Sequence, residues 1–276
     1  RTMTPLGPIL SPEDVRIWEG WRRTFGMHLR TQAHRRALDG ALRIADRALS
    51  GATAPLVAWS GGKDSTALAH LVRVGLGADA QAVSEKDDLD YPGEQAYVTE
   101  LAAAWRLRLE IVRPPVSPLA WLTERRGTLS AGEDMHSRSA GLSKACFYGV
   151  MERANEGHDV LLWGLRAEES GRRRALLTSK GAAYTLRSGT RRAAPLAHWS
   201  GLDVFAYRQA HGIEPLPVYR CCGWIPEHRL KPWLIRKSWW IPGAHAKNGS
   251  AAWLRRYWPS LFAKLAALTC DAQSYA

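Results

Sequence analysis

The chain has 276 residues, 46% of them hydrophobic, enough to bury a sizeable core as one large α/β domain or one domain with an appendage, so disorder is not expected. Its net charge of +12 is concentrated: eight Lys/Arg face two Asp/Glu from Arg166 to Arg192, nine face two from Arg220 to Ala276, and the rest sums to minus one, which favours a polyanionic partner. No apolar run nears the roughly 18 residues of a membrane span, no stretch reads as a signal peptide, and the four cysteines are too scattered for a disulfide scaffold, so a reducing cytoplasm without membrane contact is expected.

The chain divides on paper into a helical extension (1–50), a nucleotide-binding domain (51–219) and a basic, Trp-rich region (220–276). After a loose Pro- and Gly-containing lead, Ser11-Pro12-Glu13-Asp14 predicts a helix start: a capping Ser, Pro at the first helical position and an acid three residues on. Val15, Ile17, Trp18 and Trp21, then Leu38, Leu42, Ile44, Ala45 and Leu49, predict helical segments that cover one face or edge of a sheet, with Gly51 as a stop. Leu56 to Trp59 is β-compatible, Ser60-Gly61-Gly62 is a tight turn, and Ala67, Leu68, Leu71 and Val72 have helical spacing. Glycines let a backbone approach a ligand closely. Free N–H groups at a helix N-terminus form an anion site. Lys63 adds a mobile charge, and Ser60, Ser65 and Thr66 add hydroxyls, so the implied ligand is a phosphate chain. The four-residue insert of a Walker A loop is missing.

Asp79 to Ser84 predicts a second strand, followed by the acidic run Glu85 to Asp90; Pro92-Gly93 leads into a helix from about Glu94 to Arg106, and Leu107 to Val112 is a third strand. This alternation predicts a parallel, doubly wound sheet with helices on both faces, whose ligand sits at the carboxyl ends of the strands. Residues 118–142 show no period and read as a connection over the site. Ser143 starts a helix to about Asn155. It carries Cys146, a candidate nucleophile beside Lys144 or else a small buried hydrophobe. Asp159 to Trp163 is a strand running into the charged stretch Gly164-Leu165-Arg166-Ala167-Glu168-Glu169-Ser170, with Arg172, Arg173 and Arg174 behind it. Guanidinium groups there recognise phosphate or sulfate, while the carboxylates orient them or hold a metal. Ser200 and Asp203 form a capping box, Trp199, Val204 and Phe205 pack, and His198 is an ordinary helix-approach residue. Six tail tryptophans (Trp224, Trp233, Trp239, Trp240, Trp253, Trp258) lie among basic residues; packing is weighed above stacking on bases.

Ser60-Gly61-Gly62-Lys63-Asp64-Ser65 is a full match to the Ser-Gly-Gly-x-Asp-Ser signature of the PP-loop ATP pyrophosphatases. Gly164 to Ser170 with its arginines resembles the Gly-Ile-Arg-x-x-Glu-Ser…Arg motif of the phosphoadenosine-phosphosulfate reductase-like branch. Ala194 to Tyr207 is similar to that branch's Pro-Leu-x-x-Trp-x-x-x-Asp-Val-Trp-x-Tyr segment, with Pro215 to Tyr219 as its Pro-rich sequel. The resemblance spans residues 56 to 219. It departs at Asp88, Asp90 and Pro92-Gly93-Glu94, where the acidic pattern is altered. The C-terminal Glu-Cys-Gly-Leu-His of the reductases does not occur in these residues, nor does any Cys-x-x-Cys, so an iron–sulfur cluster is not expected.

The resemblance implies a Rossmann-like PP-loop fold that binds ATP through Ser60, Gly61, Gly62, Lys63, Asp64, Ser65 and Thr66, with Gly164, Arg166, Glu169, Arg172 and Arg174 on the opposite wall. Lys63 and Asp64 would be catalytic, and Asp64 with Glu168 or Glu169 would hold Mg²⁺; Cys146 is a candidate nucleophile from its local sequence alone. ATP would be cleaved to AMP and pyrophosphate to activate a substrate for sulfur transfer. The acceptor would be DNA or tRNA, and the sulfur source a donor such as a cysteine desulfurase. The alternatives are reduction of a phosphosulfate nucleotide and a binding module without turnover.

Overall fold

A computed structural model describes residues 7–88, 90–115, 117, 120, 156–223, 231–235, 250–269 and 271–275. Its first helices are α1 (Pro12–His28) and α2 (Gln32–Leu49). The alternating part follows: β1 (Pro55–Ala58), α3 (Lys63–His70, continued by a π-helical turn, Leu71–Gly75), β2 (Gln81–Glu85), α4 (Glu94–Trp105) and β3 (Arg108–Val112). Beyond come β4 (Val160–Trp163), a 3-10 turn (Ala167–Glu169), α5 (Gly171–Lys180), β5 (Ala183–Thr185), β6 (Arg191–Ala193) and α6 (Gly201–Ala210). A 3-10 turn (Pro217–Arg220) then leads toward α7 (Ser250–Tyr257) and α8 (Pro259–Leu268).

The six strands lie in the order β3-β2-β1-β4-β6-β5, with every neighbour parallel except the β5–β6 pair. Successive strand residues face opposite sides. Val57, Ala82 and Leu162 therefore face α2, α3, α4 and α6 in one core with Ala45, Leu68, Val98 and Val204, while Leu56, Val83 and Leu161 form a smaller buried group on the other side. The helix expected over 143–155, with Cys146, lies outside the described residues, as do most of the 118–142 connection, Cys270, Trp224, Trp239 and Trp240.

The structure refines two expectations. The sheet is dominated by parallel pairs, as expected, and adds an antiparallel β5–β6 pair at one edge, in a stretch for which the sequence predicted no element. Their three-residue strands carry Arg191 and Arg192, and so short an arginine-rich run has no apolar alternation to mark it. β2 begins at Gln81 and β3 at Arg108, within two residues of the expected starts. Among the described residues, no helix is long and apolar enough to cross a membrane.

The described tail packs onto the N-terminal helix. Trp18 and Phe25 of α1 share one cluster with Phe205 of α6, Trp253 of α7, Trp258 and Phe262. Trp253 and Trp258 are buried, which fits packing rather than exposed stacking faces. Both expected capping boxes form, Ser11 with Asp14 and Ser200 with Asp203. Asp14 does more than cap. Its Oδ1 accepts from Gly223 N at 2.6 Å and from Tyr257 Oη at 2.6 Å, so one carboxylate ties α1 to the chain after Tyr219 and to α7.

Burial pushes the Asp14 pKa up, but hydrogen bonds from Ser11, Tyr257 and Gly223 outweigh it and hold the group below its ordinary value. Its stabilisation is therefore present above an unfolded pKa of about 3.9 and is lost as pH falls through the lower folded value. Asp14→Asn should lower the unfolding free energy at pH 7 by about 2–4 kcal/mol. The gap from the native chain should narrow below about pH 4. Urea unfolding at both pH values checks this; equal stability at pH 7 contradicts it.

Candidate functional site

The chain runs outward from β1 through β2 to β3, then crosses back to β4 on the other side of β1. The resulting switch point is where doubly wound sheets bind ligands. A crevice of about 490 Å³ opens there, lined by Ala58, Val83, Glu85 and Trp163 at the strand ends and by the loop and first turn of α3. Two glycines make the geometry possible. Gly61 has φ +81°, and a Cβ on it would come within 2.9 Å of Val98 Cγ1 in α4. A Cβ on Gly164 would sit 2.9 Å from Ser65 N and 3.0 Å from Asp64 C. Only a residue without a side chain lets the end of β4 approach the α3 N-terminus and leaves the Ser65 amide uncovered. Gly62 is the N-cap of α3 and supplies no side-chain cap.

The charges form one connected set. Lys63 Nζ lies 2.9 Å from Asp64 Oδ2 and 3.9 Å from Glu169 Oε1. Arg166 Nε donates to Asp64 Oδ1 at 2.6 Å; its Nη1 donates to Glu168 Oε2 at 2.6 Å and to the Trp199 carbonyl at 3.2 Å. Glu168 Oε2 also accepts from Gly201 N at 2.5 Å. Arg173 is ion-paired with Glu169, four residues before it, and both line the crevice. Burial raises the Asp64 pKa, but Lys63 and Arg166 more than offset this and hold it below its usual value; burial lowers that of Lys63.

Three buried side chains fix the loop from behind. The Tyr219 hydroxyl accepts from Lys63 N at 2.9 Å. Arg208 Nη1 donates to the Lys63 carbonyl at 3.3 Å. Lys86 Nζ donates to the Ser60 carbonyl at 3.1 Å and to Glu94 Oε1 at 2.5 Å. Sequence reading did not single out Arg208 or Lys86: a buried cation on a helix or in an acidic run looks like any solvated one until the fold brings its partners.

Of the expected site residues, Ser60, Gly62, Lys63, Asp64, Ser65, Gly164 and Glu169 line the crevice, and Gly61 shapes it. The others are placed differently. Thr66 is buried and accepts from Trp59 Nε1 at 3.0 Å, a packing role. Lys63 is not a free, mobile charge: it is 3% exposed and paired with Asp64. Arg166, 1% exposed, is bound to two carboxylates and a carbonyl instead of facing a ligand. Arg172 and Arg174 are exposed, and the crevice cation is Arg173, between them on α5. In this structure Asp64 and Glu168 do not fit as a shared Mg²⁺ pair, because Arg166 stands between them and occupies an oxygen of each; Glu169 is the carboxylate of that turn that lines the crevice. Cys221 and Cys222 are buried away from it, where burial pushes both thiols up, Cys222 to about 12. Cys146 lies outside the described residues.

The sequence model of the phosphoadenosine phosphosulfate reductase domain family matches residues 54–221. Among curated proteins, the phosphoadenosine 5'-phosphosulfate reductase of Enterobacter sp. (strain 638) is 29% identical over 132 residues, covering 47% of this chain and 50% of that protein. That of Xanthomonas axonopodis pv. citri (strain 306) is 28% identical over 137 residues, covering 47% and 51%. The chain thus spans about half the length of the curated relatives it matches. Among solved structures, the phosphoadenylyl-sulfate (PAPS) reductase of Candida auris in its phosphate complex aligns over 75% of this chain and 90% of that one. The identity is 14% and the TM-score 0.49.

Crowding at Gly164 has a direct consequence. Gly164→Ala should destabilise the fold by about 1–3 kcal/mol through overpacking against the α3 backbone. Gly171→Ala, whose Cβ would meet nothing within 4 Å at the start of α5, should leave stability unchanged or slightly raised. Denaturant unfolding of the two variants checks this, and equal effects would contradict the close approach.

Proposed function

Since this chain belongs to the phosphoadenosine phosphosulfate reductase domain family, we propose that its crevice binds ATP by the phosphate chain and cleaves it to AMP and pyrophosphate, activating an acceptor for sulfur transfer. One observation carries the reading. Lys63 and Ser65 at the N-terminal end of α3, with Arg173, line the same crevice as the apolar strand ends Ala58, Val83 and Trp163. The first group suits a chain of phosphates, the second the flat face of a base.

The β- and γ-phosphates lie against the Ser65 amide in the first turn of α3, the Lys63 amide being engaged by the Tyr219 hydroxyl. Lys63 then exchanges Asp64 for a phosphate oxygen, and Arg173 exchanges Glu169. Asp64 remains ionised on Arg166, so its charge is not left unpaired when Lys63 turns. An acceptor oxygen attacks the α-phosphorus, the bond to the bridging oxygen breaks, and pyrophosphate leaves with its new charge facing Lys63 and the Ser65 amide, which were in place beforehand. The resulting adenylate of the acceptor loses AMP, which carries off the acceptor oxygen, when a sulfur donor such as a cysteine desulfurase persulfide attacks the activated atom. A second thiol then opens the disulfide so formed and leaves one sulfur on the acceptor. Mg²⁺, when bound with the nucleotide, would supply charge neutralisation on the phosphates.

A polyanionic acceptor, DNA or tRNA, is supported by the flank of the crevice. Arg172 and Arg174 flank Arg173 in the chain and are exposed, as are Lys180 at the end of α5 and Arg187 between β5 and β6. The second reading, reduction of a phosphosulfate nucleotide, is favoured by the names of the curated relatives. Among the described residues no thiol lines the crevice, so it takes second place.

Calorimetry with ATP–Mg²⁺ should show binding that weakens about tenfold to a hundredfold in both Lys63→Ala and Arg173→Ala. Unchanged affinity in both variants would remove the placement. Tighter binding of phosphoadenosine phosphosulfate than of ATP would favour the reductase reading. For the acceptor, the affinity for labelled single-stranded DNA, duplex DNA and tRNA, read by fluorescence anisotropy, should fall log-linearly with salt and drop on charge reversal at Arg172, Arg174 and Lys180. Absence of binding at low salt points to a small-molecule acceptor.

A further inference from the structure

Outside the crevice, one group of side chains has a donor set with no part in the reading above. His28 is the last residue of α1, His34 lies in the first turn of α2, and Asp203 lies in the first turn of α6. His28 Nε2 is 2.7 Å from Asp203 Oδ1, and His34 Nδ1 is 3.0 Å from the same oxygen. The three donor atoms all lie within 4.8 Å of one another.

The arrangement exceeds what capping needs. Asp203 Oδ2 already accepts from Ser200 N at 2.8 Å and from Ser200 Oγ at 2.6 Å, which completes the capping box. Two imidazoles then converge on the remaining oxygen. A carboxylate oxygen only accepts, so each ring spends its N–H there, and among the described residues no other hydrogen bond engages either ring. The side chains of His34 and Asp203 are 5% and 8% exposed, while that of His28 is 17% exposed and leaves a path from solvent.

We propose that His28, His34 and Asp203 form a binding site for a divalent transition metal, Zn²⁺ by its donor chemistry. Two imidazole nitrogens and one carboxylate oxygen are a recurrent borderline-soft ligand set, with water as a fourth ligand. Around a tetrahedral ion with bonds of about 2.0–2.1 Å, neighbouring donors stand roughly 3.3 Å apart. The two nitrogens therefore need to draw back from Oδ1 by about half an ångström, while the His28 and His34 nitrogens, no more than 4.8 Å apart, close toward each other by up to about 1.5 Å. Each ring moves its N–H to its outer nitrogen, and Oδ1 binds the ion while Oδ2 stays on Ser200. Such an ion would clamp α1 and α2 to the N-terminus of α6. That end of α6 is next to the Trp199 carbonyl and the Gly201 amide, which hold Arg166 and Glu168. The ion would thus brace the charge set from outside, as a structural and not a reacting group.

The test uses the full chain without an affinity tag, stripped with chelator. Zn²⁺ calorimetry should show stoichiometric binding with a raised melting temperature, and Co²⁺ should give the visible d–d bands of a tetrahedral nitrogen–oxygen site. His28→Ala should weaken Zn²⁺ binding by more than about tenfold, the lower end of what even an outer-sphere partner's loss costs. His28→Gln, which keeps a hydrogen bond to Asp203 and so preserves the fold, should do the same, while His158→Ala at the start of β4 should bind as the native chain does. Three results would each overturn the proposal: no stoichiometric binding by the native chain, undiminished binding by a folded His28→Gln, or thiolate-to-cobalt charge transfer placing the ion on cysteines.

Discussion

The site depends on a buried guanidinium. Arg166 is almost fully enclosed, yet it bonds to Asp64 on α3, Glu168 on its own turn and the carbonyl of Trp199 ahead of α6. A buried cation of this kind is tolerable only when its partners are all in place, and removing one leaves an uncompensated charge. The consequence is geometric as well as energetic. The loop after β1, the turn after β4 and the start of α6 come from distant parts of the sequence, and Arg166 allows them one mutual arrangement. Lys63 is held by the same Asp64; on the reading proposed above, that ion pair stores the cation until a phosphate takes the place of Asp64.

Other side chains carry that constraint outward. Tyr219 and Arg208 grip the two sides of the Lys63 peptide, and Lys86 with Glu94 grips Ser60. Tyr219 also belongs to the aromatic cluster that α1, α6, α7 and α8 share, and Asp14 bonds to Gly223 and Tyr257 in that neighbourhood. The N-terminal helix and the described tail thus support the crevice from outside the segment that the family model matches.

What was legible in the sequence was whatever local chemistry determines. The capping boxes at Ser11 and Ser200 were visible because a cap is completed within four residues. The β1–loop–α3 unit was visible because strand, glycine turn and helical spacing follow one another directly. Legibility failed where a residue's role is set across the fold. Arg166 and Arg173 look alike in sequence, yet one is enclosed as a clamp and the other faces the crevice. The difference is made by Asp64, about a hundred residues back, and by the Trp199 carbonyl ahead of α6, more than thirty residues on, which the fold brings to Arg166. The arginine-rich edge strands hid in the same way, since three residues paired by backbone alone leave no side-chain pattern. The His28, His34 and Asp203 group was invisible because two helices and a cap meet there from both ends of the chain.

The central claim is that a phosphate chain lies across the α3 N-terminus with its α-phosphorus open to attack. A crystal structure with the non-cleavable α,β-methylene analogue of ATP tests it most directly. The account predicts β- and γ-phosphate oxygens within hydrogen-bond distance of Ser65 N and Lys63 Nζ, with Lys63 turned from Asp64 and Asp64 still on Arg166. A nucleotide bound in the reverse sense, with its base at the Ser-Gly-Gly loop, or bound outside the crevice, would contradict it.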